Sequence, residues 1–282
     1  MKMLNKIFRG LARLFPECVT LSQAIAFNMF LAFFPMLLLA LGLLSYTSFF
    51  QAALKEIPQR LSLILPPGSG AVVTAYFIRK GVHTQTWIVL GLGGTLLAGM
   101  QVMAGFIEAF RVIEGGAKSS YWRLQLRALA LLCLTTVPMM AVSVLTMFGK
   151  QARTWLNQYL GFPNLVRVLV FLGYAAIVFL LAMAVLVAIY RMGQPGRKGL
   201  KRLLPGAAVS TILWWVADVA FGLYVRRMPY DVVYGGLAAA IGLLLWMYLT
   251  ANVVLLGAAY NAVGSGEVEA PRKPARVAEK VA

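Results

Sequence analysis

Asp218 asks more of its surroundings than any other residue in the chain. It lies within TILWWVADVAFGLYV, with Trp214, Trp215, Phe221 and Gly222 at helical spacing and no cation beside it in that run. A carboxylate near the centre of a membrane helix costs about 2.5–3.5 kcal/mol on insertion scales unless it is paired or protonated. It must therefore face a cavity or a polar group on another helix. Its chemistry would be cation binding or proton carriage; its plain structural role would be an interhelix hydrogen bond. Glu108 and Arg111 stand three residues apart, the spacing of an intrahelical ion pair. Facing inward, the same two side chains would form part of a cytoplasmic gate or head-group site. Gln23, Asn28, Gln101, Asn252 and Asn261 are uncharged polar groups inside apolar runs. Such groups tie helices together at about 0.6 kcal/mol each on average.

The motifs of soluble catalysis are missing. No GxSxG, Walker A loop, HExxH or clustered acidic site occurs. Gly193-Gln194-Pro195-Gly196 with Gly199 is glycine-rich, but no strand precedes it, so it reads as a cytoplasmic turn. His83 is the single histidine, and Cys18 and Cys133 form no CxxC pair, so a zinc site is not expected. Both cysteines read as small packing residues. The expectation is no catalytic residue, no cofactor and no metal.

The elements that must position these groups follow from composition. Of 282 residues, 61% are hydrophobic and 12% charged, against about a quarter charged in soluble domains. The charges cannot cover a soluble surface, so the chain needs lipid as solvent. Six runs are long enough to cross a bilayer as helices, approximately 21–46, 86–108, 127–149, 167–190, 203–225 and 233–261. The expected fold is all-α: a polytopic membrane bundle of six transmembrane helices in one domain, 1–263, followed by a disordered cytoplasmic tail, 264–282. The charge-free stretch from Cys18 to Leu54 far exceeds a signal peptide's apolar core.

The net charge of +17 is spread over short segments between apolar runs, a loop pattern and not a nucleic-acid groove. Of the 26 Lys and Arg, 17 fall in the N-terminus, the 111–127 and 191–202 loops and the tail, and 9 on the other side. The positive-inside rule then puts both termini in the cytoplasm. In the outer segment 47–85, Leu54, Ile57, Leu61 and Leu65 repeat at helical spacing before Pro66-Pro67. Two short interfacial helices are expected there. Pro35 and Pro138 interrupt the first and third runs and each removes a backbone hydrogen bond. Gly235, Ala239 and Gly242 give the last run a small-residue face for another helix, in this chain or in a homo-oligomer.

The last third, PGAAVSTILWWVADVAFGLYV and then YGGLAAAIGLLLWMYLTANVVLLGAAYNA, resembles the YihY/BrkB family of multi-pass inner-membrane proteins. SQAIAFNMFLAFFPMLLLALGLL and FIEAFRVIEG are also similar to it, so the likeness covers approximately 5–263. Matching positions are Pro35, Arg111, Pro205, Gly206, Tyr224, Tyr234, Gly235, Trp246, Tyr248, Gly257 and Asn261. Two departures stand out. Ala259 occupies the place of a usual family glutamate, and Asp218 falls where the family has a small or apolar residue. The resemblance implies transport of a lipid or lipid-like molecule, and carries an old ribonuclease label. Nine acidic residues scattered along the chain argue against a metal-dependent nuclease.

The leading expectation is a transporter or flippase-like protein for a lipid or other amphipathic substrate. Its candidate pathway is Asp218, Glu108, Arg111, Gln101, Tyr234, Asn252 and Asn261, and its partners are membrane lipids, with no nucleic acid. The alternative is an envelope-assembly or interaction protein that transports nothing.

Overall fold

The computed structural model describes residues 2–44, 84–116, 120–136, 138, 164–194, 199–227 and 237–266. Every regular element among the described residues is helical. We label them α1 (Lys2–Leu44), α2 (Thr84–Glu114), α3 (121–136), α4 (Asn164–Gly193), α5 (Leu200–Arg227) and α6 (Leu237–Gly264). Five of them, α1, α2, α4, α5 and α6, are long and apolar enough to cross a membrane. The expected third span is helical as α3, but 139–149 lie outside the described residues. So do the expected interfacial helices, Tyr234, and the tail beyond residue 266.

Several boundaries differ from expectation. α1 begins at Lys2, not near residue 21, because Ile7, Leu11, Leu14 and Cys18 already repeat at three- and four-residue spacing. At 43 residues it is about 64 Å long, roughly twice a hydrocarbon core. It also runs on through Pro35, so the proline does not end the helix. α5 begins at Leu200, which places Pro205 inside the helix and not at its start.

Polar termini and hydroxyls are satisfied locally. α2 ends in a Schellman motif: Gly115 takes φ 73°, its N–H donates to Val112 O, and Gly116 N–H donates to Arg111 O. The hydroxyls of Ser22, Thr135, Thr136 and Thr211 turn back onto carbonyls four residues earlier, so they add little penalty to apolar helices.

The chain divides into two compact units, Asn28–Val102 and the remainder. In the smaller unit α1 and α2 run antiparallel, Leu39 over Gly91 and Pro35 over Gly94, where a glycine admits the proline ring. In the larger unit α5 lies between α4 and α6. Tyr190 meets Ser210 while Phe179 meets Trp215, so α4 and α5 are antiparallel. Gly206 meets Asn261 while Phe221 meets Trp246, so α5 and α6 are antiparallel too.

Burial in this unit is concentrated at one end, where α2, α4 and α6 finish and α5 begins. On α4 the buried residues start at Val185, on α5 they stop at Thr211, and on α6 they start at Ala251. Arg9, Arg13, Arg123, Arg127, Arg191, Lys201 and Arg202 are exposed at the same end, which we call the basic end.

Candidate functional site

The densest polar arrangement lies at the basic end, where α4, α5 and α6 cross. Tyr190 is fully buried and sends its hydroxyl to Val254 O at 2.8 Å and to Ser210 Oγ at 2.8 Å. Ser210, also fully buried, reaches Val253 O at 2.9 Å. Two hydroxyl protons serve three short contacts, so a hydroxyl that donates to the other releases its own carbonyl on α6. The Tyr190 ring packs edge-on against Phe110 of α2 at 5.7 Å, which brings a fourth helix to the junction.

One turn nearer the end, Asn261 closes the α5–α6 crossing. Its Oδ1 accepts Gly206 N–H at 2.8 Å and its Nδ2 donates to Leu203 O at 3.2 Å. Both backbone groups flank Pro205, which has no N–H and disturbs the helical ladder around itself. Gly257 lets the helices approach closely enough for these bonds. A Cβ there would overlap Ser210 Oγ, Tyr190 Oη and the Gly206 carbonyl. The sequence PGA…GAAYNA thus encodes one object: a proline-disturbed helix splinted by an asparagine across a glycine crossing.

Within the larger unit, Glu108, Arg111, Asp218, Asn252 and Asn261 do not converge on one point. Glu108 and Arg111 form the intrahelical ion pair, Oε2 to Nη1 at 2.7 Å, with Arg111 buried and Glu108 half exposed. Asn252 is buried and its Nδ2 reaches Tyr248 Oη, one turn back on α6, at 3.4 Å. Gln101 is exposed on α2 in the smaller unit. Asp218 is exposed on α5, eight residues beyond Ser210 and so about 12 Å further along the axis. Arg111 follows Phe110, level with Tyr190, so Asp218 and Arg111 lie at different depths and make no ion pair. Of the expected residues described in the larger unit, only Asn261 bonds within the junction.

Tyr190, Ser210 and Gln194 were not singled out by sequence reasoning. Their signal was modest: a tyrosine closing an apolar run, and a Ser-Thr pair inside another, each needing a partner in apolar surroundings. Cys18 is buried and Cys133 exposed, and no group of three or more His, Cys, Asp or Glu occurs among the described residues.

Long apolar helices joined by side-chain bonds to buried backbone define a polytopic α-helical membrane protein. The family model described as virulence factor BrkB matches residues 15–282, and the chain belongs to that family. A UPF0761 membrane protein of Coxiella burnetii is 25% identical over 251 residues, covering 87% of each chain. A UPF0761 membrane protein of Chromobacterium violaceum is 26% identical over 244 residues, covering 86% of this chain and 57% of that one. A putative ribonuclease-like protein, YfkH, of Bacillus subtilis is 27% identical over 124 residues, 43% of this chain and 44% of its own. No solved structure matches the chain.

Proposed function

We propose that the protein is a transporter or flippase-like protein for a lipid or another amphipathic molecule. The observation that carries this reading is the exposure of Asp218 beyond the packed basic end, on a helix whose other exposed residues there include Trp215, Val216 and Val219. An exposed carboxylate at membrane depth requires water, a cation or a polar ligand against it. A polar path for a head group beside an apolar surface for its chains meets that requirement.

In this reading the chain crosses the inner membrane six times, with α3 continuing through 127–149 and both termini in the cytoplasm. The basic end then faces the anionic cytoplasmic leaflet, where Lys and Arg near the surface attract anionic lipid at about 1 kcal/mol each. The segment 47–85 lies at the outer interface and 264–282 is a disordered tail. The protein is not an enzyme. The ribonuclease-like name of YfkH is not carried over, because the nine acidic residues are scattered along the chain.

The exposure of Asp218 also suits a second reading, in which a partner helix supplies its hydrogen-bond donor and nothing is transported. Purified protein in vesicles, assayed for lipid scrambling and for uptake, separates the two. Movement of a labelled lipid that depends on Asp218 supports transport; none, with stable capture of a partner through α5, supports the assembly role.

A further inference from the structure

Among the described residues at the basic end, Gln125 Oε1 and both polar atoms of the Gln194 amide are buried without a hydrogen-bond partner. Gln194 is 3% exposed, yet among the described residues neither its Oε1 nor its Nε2 has a hydrogen-bond partner. Its backbone N–H donates to Tyr190 O at 3.0 Å, so residue 194 continues the α4 register. Residues four apart share a helix face, so Gln194 follows Tyr190 toward the junction with α2, α5 and α6. Next to it, Gly193 packs against the Phe110 ring and lets α2 and α4 close tightly. The contrast with Asn261 is direct: that amide engages both of its polar atoms, while the Gln194 amide at the same end engages neither.

A buried amide without partners raises the free energy of the arrangement that buries it, and an apolar residue of the same length would not. The penalty vanishes in any arrangement that lets water reach the amide. The Asn261 splint and the Tyr190–Ser210 bonds hold the end closed, and Gln194 works against them.

We infer that the basic end is a two-state element, and that Gln194 destabilises its closed form so that the end opens readily to water. This holds whether or not the protein moves lipid, so its failure would leave the transport reading standing. The opposed pair sets the balance: Asn261 favours closure and Gln194 favours opening.

The chain supplies its own reporter. It has two cysteines; Cys133 is exposed, and Cys18 is fully buried on the α1 face that also carries Gly10, which packs on Val263 of α6. In a Cys133→Ser background, alkylation of Cys18 by a small maleimide reports opening of this end. Gln194→Met keeps length and shape and removes the amide. It is expected to raise the thermal midpoint and to slow Cys18 labelling roughly fivefold or more. Gln194→Leu should act in the same direction, and Asn261→Ala in the opposite one. Unchanged or faster labelling in both Gln194 variants, or a lowered midpoint in Gln194→Met, overturns the inference, because the amide would then be a stabilising group satisfied by bound water.

Discussion

Asn261 spans the α5–α6 crossing and holds two backbone groups of α5 at once, Gly206 N–H at 2.8 Å and Leu203 O at 3.2 Å. Those groups lie on either side of Pro205, so one side chain ties both flanks of the proline to α6. Asn261→Leu leaves both without that partner in an apolar setting. Interhelical hydrogen bonds in membranes average about 0.6 kcal/mol and reach about 1.7, so the expected loss is about 1–3 kcal/mol for the pair. Thermal unfolding in detergent measures it, and an unchanged midpoint would mean that the splint contributes nothing.

The glycine crossing makes a steric prediction. Gly257→Ala would place a methyl group on Ser210 Oγ, Tyr190 Oη and the Gly206 carbonyl, all of them buried. Overpacking of this kind costs about 1–3 kcal/mol, and here it would also separate the hydroxyls from their acceptors. Gly264→Ala, with open space around it, is the control and should be neutral. Equal stability of the two variants would show that α5 and α6 cross less closely than described.

Tyr190 and Ser210 share a proton network, so their substitutions should not add. Tyr190→Phe removes the contacts to Ser210 and Val254 O, and Ser210→Ala removes those to Tyr190 and Val253 O. Bonded neighbours typically couple by about 0.5–3 kcal/mol, and the double variant is expected to be less destabilised than the sum. Additive losses in the cycle would place the two hydroxyls in separate bonds to α6.

Five spanning helices were legible because apolar composition and length suffice to mark them, and four of the positions that carry the family likeness, Pro205, Gly206, Gly257 and Asn261, meet at one junction. What pattern could not give was pairing. Asn252 and Asn261 look alike in sequence, two polar groups nine residues apart on one span. One reaches only its own helix, at Tyr248, and the other grips α5. The difference lies in which face of α6 meets Gly206, a tertiary fact. Glu108 and Arg111 were readable because i,i+3 spacing is local. Asp218 and Arg111 stand in one expected pathway, but the 1.5 Å rise per residue separates their depths. Ala259, where the family likeness leads one to expect glutamate, is fully buried, so the alanine suits its packed surroundings on α6.

Orientation gives a further prediction. Reporter fusions after Gly264 and within 193–199 should read cytoplasm, and a fusion near Pro67 should read the opposite side. A C-terminus on the far side from the N-terminus would require an odd number of crossings and would remove the six-span topology.

The last prediction separates the cost of Asp218 from its purpose. Asparagine has nearly the same shape and keeps an acceptor oxygen while losing the charge. Asp218 is exposed and no hydrogen bond or ion pair ties it to another described residue, so Asp218→Asn should disturb no packing. Removing an ionised group from an apolar helix surface should leave insertion efficiency and thermal midpoint equal or slightly raised. If the carboxylate binds a cation or carries a proton during transport, the same variant loses most lipid-moving activity at matched protein density. Arg111→Gln should behave differently. It breaks the 2.7 Å ion pair to Glu108 at the packed end, so it should lower stability first and activity only in proportion to folded protein. Both variants are measured in the same vesicle assay, with folded protein counted by size-exclusion chromatography. An Asp218→Asn protein that moves lipid as fast as the native chain would assign the carboxylate to helix–helix contact and take transport chemistry away from α5.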